Sequence, residues 1–173
     1  PDDQLGRLNL LTPEKVLQGV AEVRDGRAFC LSLPLDYPGG NVLNPRRHPP
    51  RLASTMREGR ANYLYSVGDE SPEHTDVICD DTVVLTLQYS TQFDSLCHVG
   101  SMFDADGEPE PVFYNGWRGG EHVVAPPAGL DGDGKPIVEG CHADALGIEN
   151  MAATGVQGRA VMIDLERHIG RER

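Results

Sequence analysis

Thr82-Val83-Val84-Leu85-Thr86-Leu87-Gln88 is the run on which the fold turns. Its residues are β-branched or apolar at nearly every position, the composition of a strand covered on both faces. It leads directly into Tyr89-Ser90-Thr91-Gln92-Phe93-Asp94-Ser95-Leu96-Cys97-His98, the most polar stretch attached to any apolar element of the chain. Gln88, Gln92, Asp94 and His98 carry even numbers, so an extended backbone would turn all four toward one sheet face. Two amide oxygens, a carboxylate and an imidazole can all coordinate a metal ion, and the last two can also move protons. The same side chains could equally end a strand and satisfy loop backbone or water. Residues four apart on a regular strand stand roughly 13 Å apart, too far to share one ion. In a helical turn the separation is roughly 6 Å. Gln88 and Gln92 therefore meet only if the strand breaks at Ser90-Thr91, where small hydroxyl residues suit a bulge or turn.

Upstream, Leu10-Leu11-Thr12-Pro13-Glu14-Lys15 carries a helix start. Thr12 can cap free N–H groups, Pro13 suits the first helical position and Glu14 complements the dipole. Val16, Leu17, Val20 and Val23 follow at helical spacing, and Asp25-Gly26 supplies a stop. Phe29, Leu31 and Leu33 alternate as a half-buried strand does. From Pro34 to Pro50, five of the 13 prolines, Gly39-Gly40 and the basic cluster Arg46-Arg47-His48 form a long loop. Such a loop can be a binding loop or a plain surface excursion, and Arg46 and Arg47 are its candidates for holding an anion. Downstream, a weak helical signal spans Ala143 to Thr154 and stops at Gly155. Ala160-Val161-Met162-Ile163-Asp164-Leu165 reads as a strand. Helix and strand alternate, so the chain is expected to be α/β.

The chain has 173 residues, 39% of them hydrophobic, enough for one domain with a core of its own. Lys plus Arg total 15 against 27 for Asp plus Glu, and the net charge of −12 disfavours nucleic acid and anionic membranes as partners. No apolar run reaches the ~20 residues of a membrane span, and no signal segment is visible. Cys30, Cys79, Cys97 and Cys141 contain no CxxC pair, and we read them as reduced thiols of a cytoplasmic protein. Cys97 beside His98 is read as packing rather than as a nucleophile. His48, His74, His122, His142 and His168 sit in polar loops and are read as solvated or structural. Phe113, Tyr114 and Trp117 are expected to anchor a loop on the core or to line a pocket.

The run from Gln88 to His98 resembles the signature H-x-G-T-H-x-D-x-P-x-H of the cyclase family, which includes bacterial kynurenine formamidases and isatin hydrolases. Gln88 and Gln92 fall on its two metal-binding His positions. Ser90 falls on the Gly, Thr91 on the Thr, Asp94 on the bridging Asp, Leu96 on the Pro and His98 on the proton-shuttling His. The double replacement of His by Gln resembles the variant associated with trans-dienelactone hydrolases. Asp3-Gln4-Leu5-Gly6 with Leu8-Asn9-Leu10-Leu11-Thr12-Pro13-Glu14-Lys15-Val16 resembles the opening of longer family members. Gly155-Val156-Gln157-Gly158-Arg159-Ala160-Val161 resembles their mid-chain strand.

The resemblance implies a swivelling β/β/α fold and a metal-dependent hydrolase of a dienelactone-like lactone or a formamide-type amide. Gln88, Gln92 and Asp94 would be metal ligands and His98 the acid/base. A divalent ion, Zn2+ or Mn2+, would activate water, and exchange of His for Gln would move the preference toward harder ions such as Mn2+. The substrate is a small molecule, whose carboxylate Arg46 or Arg47 could hold, and the assembly is a homodimer or homotetramer. The family completes its metal centre with a His and a Glu from the second half of the chain. His142 and Glu149 precede the mid-chain strand and are not assigned that role. Residues 1–173 are thus expected to be a single cyclase-family domain lacking its C-terminal part. The alternative is a metal-free family member serving as a non-catalytic binding or interaction domain, the two Gln marking lost catalysis.

Overall fold

The apolar run that begins at Thr82 is extended only as far as Val84. The computed structural model describes residues 2–104 and 106–170; Pro1 and 171–173, the ends of the chain, lie outside the described residues. The chain divides into two compact units, one formed by Phe29–Gln92 and the other by the stretches on either side of it. Short antiparallel strands occur in both, and the α-helices lie in the flanking stretches. Among the described residues no helix is long and apolar enough to cross a membrane.

Phe29–Gln92 contains β1 (Arg51–Ser54), β2 (Met56–Arg57), β3 (Arg60–Ala61), β4 (Tyr63–Ser66), β5 (Val77–Cys79) and β6 (Asp81–Val84). They pair as three antiparallel ribbons, β1 with β6, β2 with β3 and β4 with β5. Glu58 and Gly59 turn the β2–β3 hairpin with φ of 48° and 74°, a left-handed pair that glycine adopts without a Cβ penalty. Tyr65 on β4 is buried, and charged side chains pack against it. The Arg57 and Arg60 guanidiniums lie 5.0 and 4.7 Å from its ring centroid. Its hydroxyl donates to Glu70 Oε1 at 2.5 Å, and Arg57 grips the same carboxylate at 2.8 and 2.6 Å.

Two expectations for this unit are corrected. The run 82–88 is not a strand covered on both faces: β6 has one strand neighbour, Val83 is 47% and Val84 62% exposed, and the chain turns from Leu87. Phe29 to Leu33 forms no strand either, because the Leu33 N–H donates to the Thr91 hydroxyl at 2.9 Å instead of to a neighbouring ladder. Pro34–Pro50 is free of helix and strand, as its proline content requires.

The other unit begins with a 3-10 turn at Gly6–Leu10 and α1 (Pro13–Val20). Pro13 opens the helix, but the Thr12 side chain makes no cap; its backbone carbonyl takes the Lys15 and Val16 N–H groups at 2.9 and 3.1 Å. Beyond Phe93 lie the ribbons of β7 (Ser101–Phe103) with β8 (Glu110–Val112) and of β9 (Val123–Val124) with β10 (His142–Ala143). Next come α2 (Ile148–Thr154) and α3 (Leu165–Ile169). Gly155 ends α2 at φ 69°, as read from the sequence, although Ala143 belongs to β10 rather than to the helix. The expected strand at Ala160–Leu165 is absent: Val161, Met162 and Ile163 are exposed and join no strand among the described residues, and Asp164 caps α3 through the Arg167 N–H at 2.9 Å. Among the described residues, Ala145 and Leu146 are this unit's buried hydrophobic residues.

Gly19 marks where α1 meets the Gly155–Val161 patch. A Cβ there would lie 2.6 Å from the Gly158 carbonyl carbon and 2.7 Å from its oxygen. Both atoms are backbone, so neither can swing aside. Gly19→Ala gains about 1 kcal/mol of helix propensity and meets an overpacking cost of about 1–3 kcal/mol. We expect a net loss of about 1–2 kcal/mol in urea unfolding; a variant as stable as wild type would show that α1 does not pack here.

Candidate functional site

After β6 the backbone turns at 87–88 and bends through 89–91, earlier than the expected break at Ser90-Thr91. The even-number alternation of an extended strand therefore does not govern Gln88 and Gln92. Bonds from the proline-rich loop hold this turn. Arg47 Nη1 donates to the Gln88 carbonyl at 2.8 Å, the Tyr89 hydroxyl to the Gly40 carbonyl at 2.7 Å and the Ser90 hydroxyl to the Pro34 carbonyl at 2.7 Å. The loop is thus a wall built against the first three residues of the motif. Between them lies a cavity of about 290 Å3, lined by Gly39, Gly40, Asn44, Arg47, Gln88 and Tyr89 among others. Gln88 is half-buried and Gln92 exposed.

The unit boundary falls inside the motif, between Gln92 and Phe93. Asp94 and His98 belong with the flanking unit, where both are exposed. A turn at 96–97 brings the His98 N–H to the Ser95 carbonyl at 3.1 Å. Cys97 is half-buried with Sγ 2.9 Å from Ser95 Oγ, and all four cysteines are free. Among the described residues no three His, Cys, Asp or Glu side chains gather as metal ligands do. Gln88 and Gln92 are of neither charged nor imidazole type, so the candidate set rests on amide oxygens with one carboxylate. By donor chemistry that set fits a hard divalent cation.

The opening patch Asp3-Gln4-Leu5-Gly6 lies in the same unit as Asp94 and His98, and its side chains tie that unit together. A Cβ on Gly6 would stand 3.4 Å from Leu96 and 3.6 Å from the Tyr114 ring. Gln4 Oε1 accepts from the Leu146 N–H at 2.8 Å and from Asn150 at 3.2 Å. The Asp3 carbonyl accepts from the Trp117 indole at 3.3 Å, so Trp117 anchors its loop on the N-terminal patch. The Asp3 carboxylate accepts from the Tyr114 hydroxyl at 2.6 Å, the Leu5 N–H at 3.0 Å and Asn9 Nδ2 at 2.6 Å. These donors, Tyr114 first, hold its pKa at about 2 instead of 3.8, and the same bond raises the Tyr114 phenol. A depressed folded-state pKa contributes stability that is present above the unfolded value and lost as pH falls from about 3.8 through about 2. Tyr114→Phe should therefore move the Asp3 midpoint upward in a carboxyl NMR titration. A wild-type midpoint at the ordinary value would contradict this web of bonds.

His122 and His142 have local partners. The His122 ring stacks edge-on against Trp117 at 4.6 Å and accepts from the Arg118 N–H at 3.3 Å. His142 Nδ1 lies 3.0 Å from the Gly140 carbonyl, and Nε2 3.6 Å from Asp144. Sequence reasoning missed Tyr89, Asn44 and the glycine pair as cavity wall, since only the loop's long-range bonds place them there.

These features define a small mixed protein of short antiparallel ribbons and few helices, with an arginine-bearing loop against the start of a polar motif. The chain is similar to a crystal structure described as that of a novel cyclase, at 26% identity and a TM-score of 0.55. The similarity covers 87% of this chain and 40% of that one, so the chain spans less than half the length of its structural neighbour. No protein-family model and no curated protein matches the chain.

Proposed function

We propose that the chain carries a metal-dependent hydrolase site of the cyclase type, acting on a lactone or a formamide-type amide. The observation that supports this is the Gln88-to-His98 motif, found in a chain that is similar to a cyclase over 87% of its length. Gln88, Gln92 and Asp94 are the residues that would hold a divalent ion, and their all-oxygen character favours Mn2+ over Zn2+. Such an ion supplies Lewis acidity, lowering the pKa of water and polarising a carbonyl. Asp94 contributes the one negative charge of the set. His98, an exposed imidazole, takes a proton from the attacking water and returns it to the leaving oxygen or nitrogen. The two Gln favour a dienelactone-like substrate over an N-formyl arylamide. The same reading carries with it the swivelling β/β/α arrangement, a homodimer or homotetramer and a cytoplasmic setting.

The test is a hydrolysis panel of a dienelactone, isatin and an N-formyl arylamide, run with Mn2+ or Zn2+. Turnover of the lactone ahead of the others supports the proposal. Turnover of the formyl amide alone reverses the substrate order, and no turnover with either ion removes the hydrolase reading in favour of a binding role.

A further inference from the structure

We propose that the cavity between the proline-rich loop and Gln88 is a recognition site for a small organic carboxylate, with Arg47 as the residue that binds it. From Tyr37 to Arg57 the sequence holds four arginines and no Asp or Glu, in a chain whose net charge is −12. That concentration of positive charge is local, and the cavity lies within it. Arg47 is half-buried and lines the cavity. Among the described residues its guanidinium makes one hydrogen bond, to the Gln88 carbonyl at 2.8 Å, and no carboxylate pairs with it. The rest of the guanidinium fork is therefore available to a ligand, and a planar fork matches a carboxylate in two-point contact. Arg46, by contrast, is exposed and does not line the cavity.

The remaining wall supplies donors and one apolar surface. Gly39 and Gly40 adopt left-handed φ of 87° and 62°, and the backbone N–H groups of Gly39, Gly40 and Asn41 donate no hydrogen bond among the described residues. The Asn44 side chain accepts from the Arg46 N–H through Oδ1, which leaves its amide N–H groups for another partner. Leu43 adds a hydrophobic patch. One cation, several neutral donors and an apolar wall in about 290 Å3 suit a singly charged carboxylate on a small carbon skeleton better than a phosphate dianion. Gln88 lies on the same wall, so a carboxylate held by Arg47 would orient its skeleton against the first residue of the motif. In that orienting role the site rests on the hydrolase reading above; as an anion site it does not.

The experiment compares benzoate with its neutral isostere benzamide by calorimetry in buffer containing EDTA, with 1H–15N shifts locating the site. Benzoate is expected to bind at least tenfold tighter than benzamide and to shift Gly39, Gly40 and Asn41. Arg47→Met should lower benzoate affinity at least tenfold, and Arg46→Met by less than twofold. Equal binding of the two ligands by wild type would overturn the proposal without recourse to a variant, even if Arg47→Met fails to fold. So would equal losses in the two arginine variants, shifts confined elsewhere, or displacement of benzoate by a lower concentration of inorganic phosphate. Benzoate binding by a protein that hydrolyses nothing in the panel keeps the anion site and removes only the hydrolase reading. Hydrolysis of a neutral lactone as fast as a carboxylated one removes only the orienting role.

Discussion

Replacing His98 by Ala is expected to lower kcat/KM for lactone hydrolysis by about 10²–10⁴-fold, the range general acid–base groups contribute. Asp94→Ala should fall at least as far, for a different reason. Asp94 is the single anionic donor among Gln88, Gln92 and Asp94, so its loss leaves two neutral amide oxygens to hold a dication. The two variants separate in one readout: His98→Ala should keep its metal and lose turnover, whereas Asp94→Ala should lose both. Neither side chain is buried, so neither substitution opens a cavity in a core. Near-wild-type turnover in both variants would remove these residues from the chemistry.

Leu146→Ala is expected to destabilise the unit that carries Asp94 and His98 by about 2–5 kcal/mol. That is a large part of the about 5–15 kcal/mol that holds a typical domain together. Leu146 is 1% exposed, and among the described residues only Ala145 is equally buried. Its backbone sits at φ 66°, a left-handed conformation that a leucine adopts at a cost and keeps here through packing and the bond from its N–H to Gln4. Alanine retains the backbone strain while losing the side chain that offsets it. The sole tryptophan, Trp117, belongs to the same unit, so its fluorescence in urea reports on this unit and not on Phe29–Gln92. A change below about 1 kcal/mol would show that Leu146 is not the packing centre.

The start of α1 and the end of α2 were legible because their signals are local, whereas α1 ends at Val20 before the expected stop at Asp25-Gly26 and α3 was not read. Pro13 sets the start of α1 and Gly155 the end of α2 through their own backbone preferences, whatever the rest of the chain does. Strand signals were not, because a strand is completed by its neighbour. Phe29–Leu33 and Ala160–Leu165 have strand composition but join no ladder among the described residues, and Thr82–Gln88 is paired over only part of its length. The motif residues were legible as chemistry, since Gln, Asp and His are recognisable donors at any spacing. The wall opposite Gln88 was not: the bonds Arg47 to Gln88 and Tyr89 to Gly40 join residues 41 and 49 apart, and nothing in the local sequence pairs them.

The most direct test of the central claim is Mn2+ binding, followed by the loss of the free-ion EPR signal, for wild type, Gln88→Leu, Gln92→Leu and Asp94→Ala. The motif reading predicts that wild type binds Mn2+ and that each substitution weakens binding at least tenfold. A wild type that leaves the free-ion signal intact, or binding unchanged by all three substitutions, would contradict it.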